Sequence, residues 1–127
     1  MKYKDSTLPV AQRVEDLMAR LNFQQKIDQI TCLVTIGQDL PDFKSIIPSG
    51  IGNVGAFSVA ENKEQIAEYS YRLQKYLVEE TEFGIPALIH CEAVSGGQFT
   101  GADVFPSAIA QASCWNPDLV EEMAGLI

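Results

Sequence analysis

The sequence predicts an α/β fold built on a parallel sheet, and three observations predict it. Compact apolar runs of strand length alternate with segments of helical periodicity along the whole chain, a pattern that argues for parallel pairing. The first of these runs is nearly continuous in apolar and β-branched residues, as strands of covered parallel sheets are. The last amphipathic helix is only begun when the sequence stops at Ile127. That ending favours part of a (β/α)8 barrel of the TIM type over an open doubly wound sheet, so residues 1–127 are expected to hold about three strand-helix units of one barrel domain.

The elements follow in order. Val10, Val14, Leu17, Met18 and Leu21 recur at helical spacing and predict an amphipathic helix with one buried face, with Pro9 suited to its first turn. Asn22 followed by Gln25 is a capping-box variant that opens a second short helix through about Gln29. Ile30 to Ile36 reads as a strand buried on both faces and ended by Gly37. Gln38 to Ser49 is a connection in which Phe43, Ile46 and Ile47 make a helical turn. Gly50 to Phe57 alternates apolar residues with glycines, a short strand where another part of the chain comes close to the backbone.

Asn62 with Gln65 repeats the capping pattern and opens a long helix to about Glu80, carried by Ile66, Tyr69, Leu73, Tyr76 and Leu77. Ala87 to Ile89 is a compact strand that delivers His90, Cys91 and Glu92 into a polar loop. It is expected to neighbour the Ile30–Ile36 strand in parallel, with the Asn62 helix across both. Phe105 to Ala112 fits a short strand or a helical turn. Asn116, Pro117 and Asp118 cap and start the final helix.

Composition narrows the partners. A chain that is 46% apolar is built to bury a core, and a net charge of −8 repels phosphate backbones and anionic lipid. A small neutral ligand is the easier partner, while nucleic acid and membrane are not expected. With no apolar stretch of signal-peptide or membrane-spanning length, the chain reads as cytoplasmic. Cys32, Cys91 and Cys114 show no CxxC pair, suggest neither a disulfide framework nor a metal site, and are expected as small buried hydrophobes. No cofactor motif stands out. Gly50, Gly52 and Gly55 have the G-x-G-x-x-G spacing of a nucleotide-binding turn, but that fingerprint also needs a helix opening at once and an acidic ribose partner about 20 residues on.

Four blocks of residues resemble the N-terminal barrel domain of family 3 glycoside hydrolases. Arg13 to Leu21 with Gln25 to Ile30 is similar to the family's opening helical segment, and Gly50 to Gly55 to its glycine-spaced second strand. Gly84 to Gly96 resembles the family's "GIPLLIHEEALHG" strand and loop. Gly101 to Pro106 with Ala112 to Val120 resembles "GATxFPxxIGLASTWDPELV". The blocks fall in the family's order and cover almost the whole chain.

The resemblance implies a β-glucosidase or β-xylosidase that releases a terminal β-linked glucose or xylose by a retaining mechanism. It places at Glu92 an acidic residue that binds sugar hydroxyls, a task that suits an ionised carboxylate with several acceptor sites. From spacing alone, Glu92 also reads as a solvated loop residue. His90 matches the family's histidine and is expected as a hydrogen-bonded support beside the site. Ser95 stands where the family has a second histidine, and Cys91 where it has an acid, so the hydrogen bonding around Glu92 must differ from the family pattern.

Retaining hydrolysis needs two carboxyl groups about 5 Å apart, and the resemblance implies that both lie beyond this chain. No catalytic residue is therefore assigned within it, and no metal. Trp115 could be a sugar platform, although its place before a helix cap suits a packing residue. The rival reading is a non-catalytic structural or interaction fragment. In either case an incomplete sheet with open edges is expected to self-associate.

Overall fold

A computed structural model describes residues 1–36, 42–58, 62–97 and 100–127. After a short 3-10 turn at Lys2–Lys4, the order is α1 (Val10–Arg20), α2 (Phe23–Ile30), β1 (Cys32–Ile36) and α3 (Phe43–Ile46). It continues with β2 (Asn53–Ser58), α4 (Lys63–Glu80), β3 (Leu88–His90), α5 (Ala108–Ala112) and α6 (Pro117–Leu126). The strands form one sheet in the order β1-β2-β3, parallel throughout, so the α/β class with a parallel sheet holds. The end of the first strand at Gly37, and the start of the connection at Gln38, lie outside the described residues.

Caps set the helix starts where the side chains foretell them. Asn22 Oδ1 accepts from the Gln25 N–H at 2.9 Å while Gln25 Oε1 accepts from the Asn22 N–H at 2.9 Å, the reciprocal pair that satisfies two otherwise orphaned donors. Asn62 and Asn116 accept from the N–H groups of Gln65 and Leu119. Of Phe105–Ala112, which fits a strand or a helical turn by sequence, Ala108–Ala112 forms α5.

One face of the sheet is covered. Val54 is fully buried, and Leu33 and Ile89 pack beside it against Tyr69, Leu73, Tyr76 and Leu77 of α4, with Phe43, Ile47, Ile51 and Ala87 closing the cluster. Removing each large apolar side chain from water there contributes about 1.5–3 kcal/mol. Phe43 lies edge-on to Tyr69 and stacks on Tyr76, both at 5.8 Å between centroids. The Tyr76 hydroxyl donates to Ile47 O at 3.2 Å.

Gly52 enters β2 under α2: a Cβ at this position would stand 1.8 Å from the Gln29 carbonyl oxygen. Its own N–H donates to Asp28 O, and its carbonyl accepts from Leu88 N–H. This is the close backbone approach that the glycine spacing foretold.

Three expectations need correction. β1 begins at Cys32, and Ile30 ends α2 with its side chain 78% exposed; the capped helix keeps propagating through residues whose β-branched character suits a strand. β1 is not buried on both faces, because Leu33 turns toward α4 while Cys32 and Val34 are exposed among the described residues. Finally, β1 and β3 do not touch as neighbours: β2 lies between them and pairs with both. A βαβ unit made by β2, α4 and β3 leaves no room for direct pairing.

The stripe of α1 is also less covered than expected. Leu21 is buried, yet Val10, Val14 and Met18 are exposed, and Val10, Val14 and Leu17 border a groove of about 460 Å³ against Val78, Ile85 and Pro86. What docks α1 is polar. The Tyr3 N–H donates to Asp16 Oδ2 at 3.1 Å, Arg13 Nε donates to Tyr3 O at 2.9 Å, and the Tyr3 hydroxyl donates to Phe83 O at 2.8 Å.

Candidate functional site

Because all three strands run the same way, their carboxyl ends share one edge, and the residues expected to matter leave β3 at that edge. Register sets the rows. Cys32, Asn53 and Leu88 stand side by side, as do Val34, Gly55 and His90. These rows occupy the uncovered face, since side chains alternate along a strand and Leu33, Val54 and Ile89 take the helix side. Val34 is 53% and Leu88 66% exposed.

His90 is the last residue of β3 and is exposed. Its Nε2 lies 3.5 Å from Cys32 Sγ. The contact crosses the middle strand diagonally, next to Gly55, which brings no side chain of its own. His90 thus does have a polar contact with a thiol.

Glu92 follows two residues later and is exposed, with no hydrogen bond or ion pair among the described residues. An ionised carboxylate there offers acceptor sites to solvent or to the hydroxyls of a ligand. The chain then turns tightly: the Gly96 N–H donates to Ala93 O at 3.1 Å, and Phe105 N–H donates to Ser95 O at 2.8 Å. Gly96 has φ +87, and a Cβ on it would meet Asp103 O at 2.0 Å, so only glycine allows residues 93–96 to lie against the 103–105 segment. Ser95 enters this arrangement through its backbone carbonyl. The start of α4 joins the same edge through a parallel bridge between Asn62 and Thr100.

The cysteines depart from expectation. Cys32, Cys91 and Cys114 are all exposed, because Cys32 lies on the open face of the sheet and Cys91 belongs to the loop after β3. Trp115 is not a packing residue either: it is 92% exposed and has a φ of +51, placed at the turn between α5 and α6 where neither helix covers it. The Cys32–His90 contact was missed from sequence. The signal was present in the strand register, which puts both residues on one face. Among the described residues, no group of three or more His, Cys, Asp or Glu side chains could hold a metal ion, and no helix is long and apolar enough to cross a membrane.

Residues 23–127 match the family model described as the glycosyl hydrolase family 3 N terminal domain. The chain belongs to glycosyl hydrolase family 3. A protein of Formosa agariphila described as "Putative beta-xylosidase" is 28% identical over 132 aligned residues, which cover 95% of this family 3 chain. The chain spans 17% of the length of that relative. The family match takes in β3 and the Glu92 loop together with α5 and α6.

Proposed function

We propose that this chain is the N-terminal part of a retaining glycosidase that removes terminal β-linked glucose or xylose, and that Glu92 binds the sugar in the subsite where the bond is cleaved. The observation that carries the reading is the exposed, unpartnered carboxylate of Glu92 immediately after β3, at the edge where three parallel strands end. In (β/α)8 enzymes that edge holds the active site. The membership in family 3 and the similarity to a protein described as a beta-xylosidase support the same class of substrate.

In this reading the three strands are the first arc of a barrel, and their uncovered face looks into its interior. His90 orients the loop from below, and Ser95 holds it through the carbonyl bonded to Phe105. The nucleophile and the acid come from outside residues 1–127, so the chain contributes binding and no bond-breaking step.

The test is steady-state kinetics with aryl β-glucosides and β-xylosides on the 127-residue chain, on the longer protein that contains it and on the Glu92→Ala variant of that protein. Hydroxyl contacts that strengthen in the transition state supply several kcal/mol. The variant should therefore lose roughly two to four orders of magnitude in kcat/KM, taking 1.4 kcal/mol per decade. The chain alone should show no turnover. Wild-type kinetics in the variant would make Glu92 a solvated loop residue.

A further inference from the structure

We infer that Cys32 and His90 form a two-ligand site for a borderline-soft divalent cation of the zinc class. The inference uses neither Glu92 nor the loop that follows it, and shares only His90 with the sugar-binding reading.

Distance is the first argument. A tetrahedral zinc ion with sulfur at about 2.3 Å and imidazole nitrogen at about 2.0–2.1 Å holds those two ligand atoms about 3.5–3.6 Å apart. Cys32 Sγ and His90 Nε2 stand 3.5 Å apart. The spacing that serves a thiol-to-imidazole hydrogen bond also equals the bite of the metal, so an ion can replace the shared proton with little movement of either side chain.

Rigidity and access support it. Both residues belong to strands of one hydrogen-bonded sheet, anchored through β2 by the rows Cys32–Asn53–Leu88 and Val34–Gly55–His90. Sites built on strands hold their geometry better than sites on loops. In the 127-residue chain both side chains are exposed on the uncovered face, so a hydrated ion reaches them there without any opening of the fold.

Chemistry selects the cation. A thiolate with an imidazole suits zinc and its softer neighbours, whereas magnesium and calcium require oxygen ligands. On binding, the sulfur and Nε2 each donate a lone pair, the thiol proton leaves to solvent, and no electrons change hands. With no third protein ligand among the described residues, the remaining positions go to water, which gives a modest affinity and an ion open to exchange.

The experiment titrates the 127-residue chain, freshly reduced, with cobalt(II) as a spectroscopic substitute and then with zinc(II). Expected is a thiolate-to-cobalt charge-transfer band that saturates at one ion per chain and is displaced by zinc. Cys32→Ser should abolish the band, and His90→Gln should weaken binding about tenfold or more. Cys91→Ser and Cys114→Ser should leave both unchanged. Circular dichroism of each variant keeps loss of the fold separate from loss of a ligand. Absence of a saturable band, an unchanged affinity in folded His90→Gln, or dependence on Cys91 or Cys114 would each overturn the assignment.

Discussion

Gln74 of α4 holds both backbone groups of Ala87: its Nε2 donates to Ala87 O at 2.7 Å, and the Ala87 N–H donates to its Oε1 at 3.1 Å. A side-chain amide here does what a neighbouring strand does for the residues that follow, fixing the chain just before β3 begins. Gln74→Leu keeps the volume and removes both bonds, stranding the donor and acceptor of the buried Ala87. Each unsatisfied group costs about 1–3 kcal/mol, so chemical denaturation should show a loss of roughly 2 kcal/mol or more. Gln74→Glu keeps one acceptor and should fall between; equal stability of all three would mean that water replaces the amide.

Gly52→Ala tests the approach of β2 to α2. The added methyl would sit 1.8 Å from Gln29 O, and that neighbour is backbone in the last turn of a capped helix. Overpacking that forces the backbone to move costs about 1–3 kcal/mol, occasionally more. The variant should unfold at clearly lower denaturant, and unchanged stability would show that α2 can shift away from the sheet freely.

Much of this architecture was legible because it depends on local chemistry. Asn22, Asn62 and Asn116 announce helix starts through their own side chains, and Gly52 announces a close approach by lacking one. What the sequence did not reveal was which side of each element would be covered. Val14, Val34 and Leu88 have the periodicity of buried residues, yet burial depends on what lies opposite, and the described residues leave all three exposed. The Cys32–His90 contact was hidden for a related reason. It joins residues 58 positions apart in the chain, and only strand order and register place them on one face. At the site, Glu92 could be singled out by resemblance, while the turn at Gly96 that holds its loop needed coordinates.

Asp16 makes the docking of the N-terminal turn pH-dependent. The Arg20 guanidinium hydrogen-bonded to it, helped by the Tyr3 N–H, holds its carboxyl below the usual range. A depressed folded-state value means that its stabilisation is fully present above the unfolded value of about 4 and is lost as pH falls through the folded value. Thermal unfolding followed from neutral pH downward should show this loss, and Asp16→Asn should flatten the acid limb. Some slope should persist, since Asp5 is also depressed by its bonds from Thr7. An identical acid limb in Asp16→Asn would remove Asp16 from the account.

The open face of the sheet predicts association of the isolated chain. Val34 and Leu88 are exposed on the same face of the sheet, on its two outer strands and in adjacent rows, apolar surface that water covers at a cost. Sedimentation at rising concentration should show dimers or larger species, and Leu88→Lys should shift the distribution toward monomer without loss of secondary structure. A monomer at every concentration would count against the patch as an associating surface.

Gly96→Ala separates the position of Glu92 from its chemistry. With φ at +87 and Asp103 O at 2.0 Å from the new methyl, the alanine variant cannot keep residues 93–96 against the 103–105 segment. The Phe105–Ser95 bond should break and the loop after Glu92 should move, although the carboxylate remains. If Glu92 binds the sugar, misplacing it costs hydroxyl contacts in the transition state, and displacement by about 1 Å can reduce rate by 10²-fold. In the longer glycosidase proposed above, Gly96→Ala should lower kcat/KM by about one to two orders of magnitude, less than Glu92→Ala. Combining the two substitutions should add little to the effect of Glu92→Ala alone, because the loop matters through the residue it carries. Full additivity in this double-variant cycle would show that the turn serves catalysis, or stability, by a route independent of Glu92.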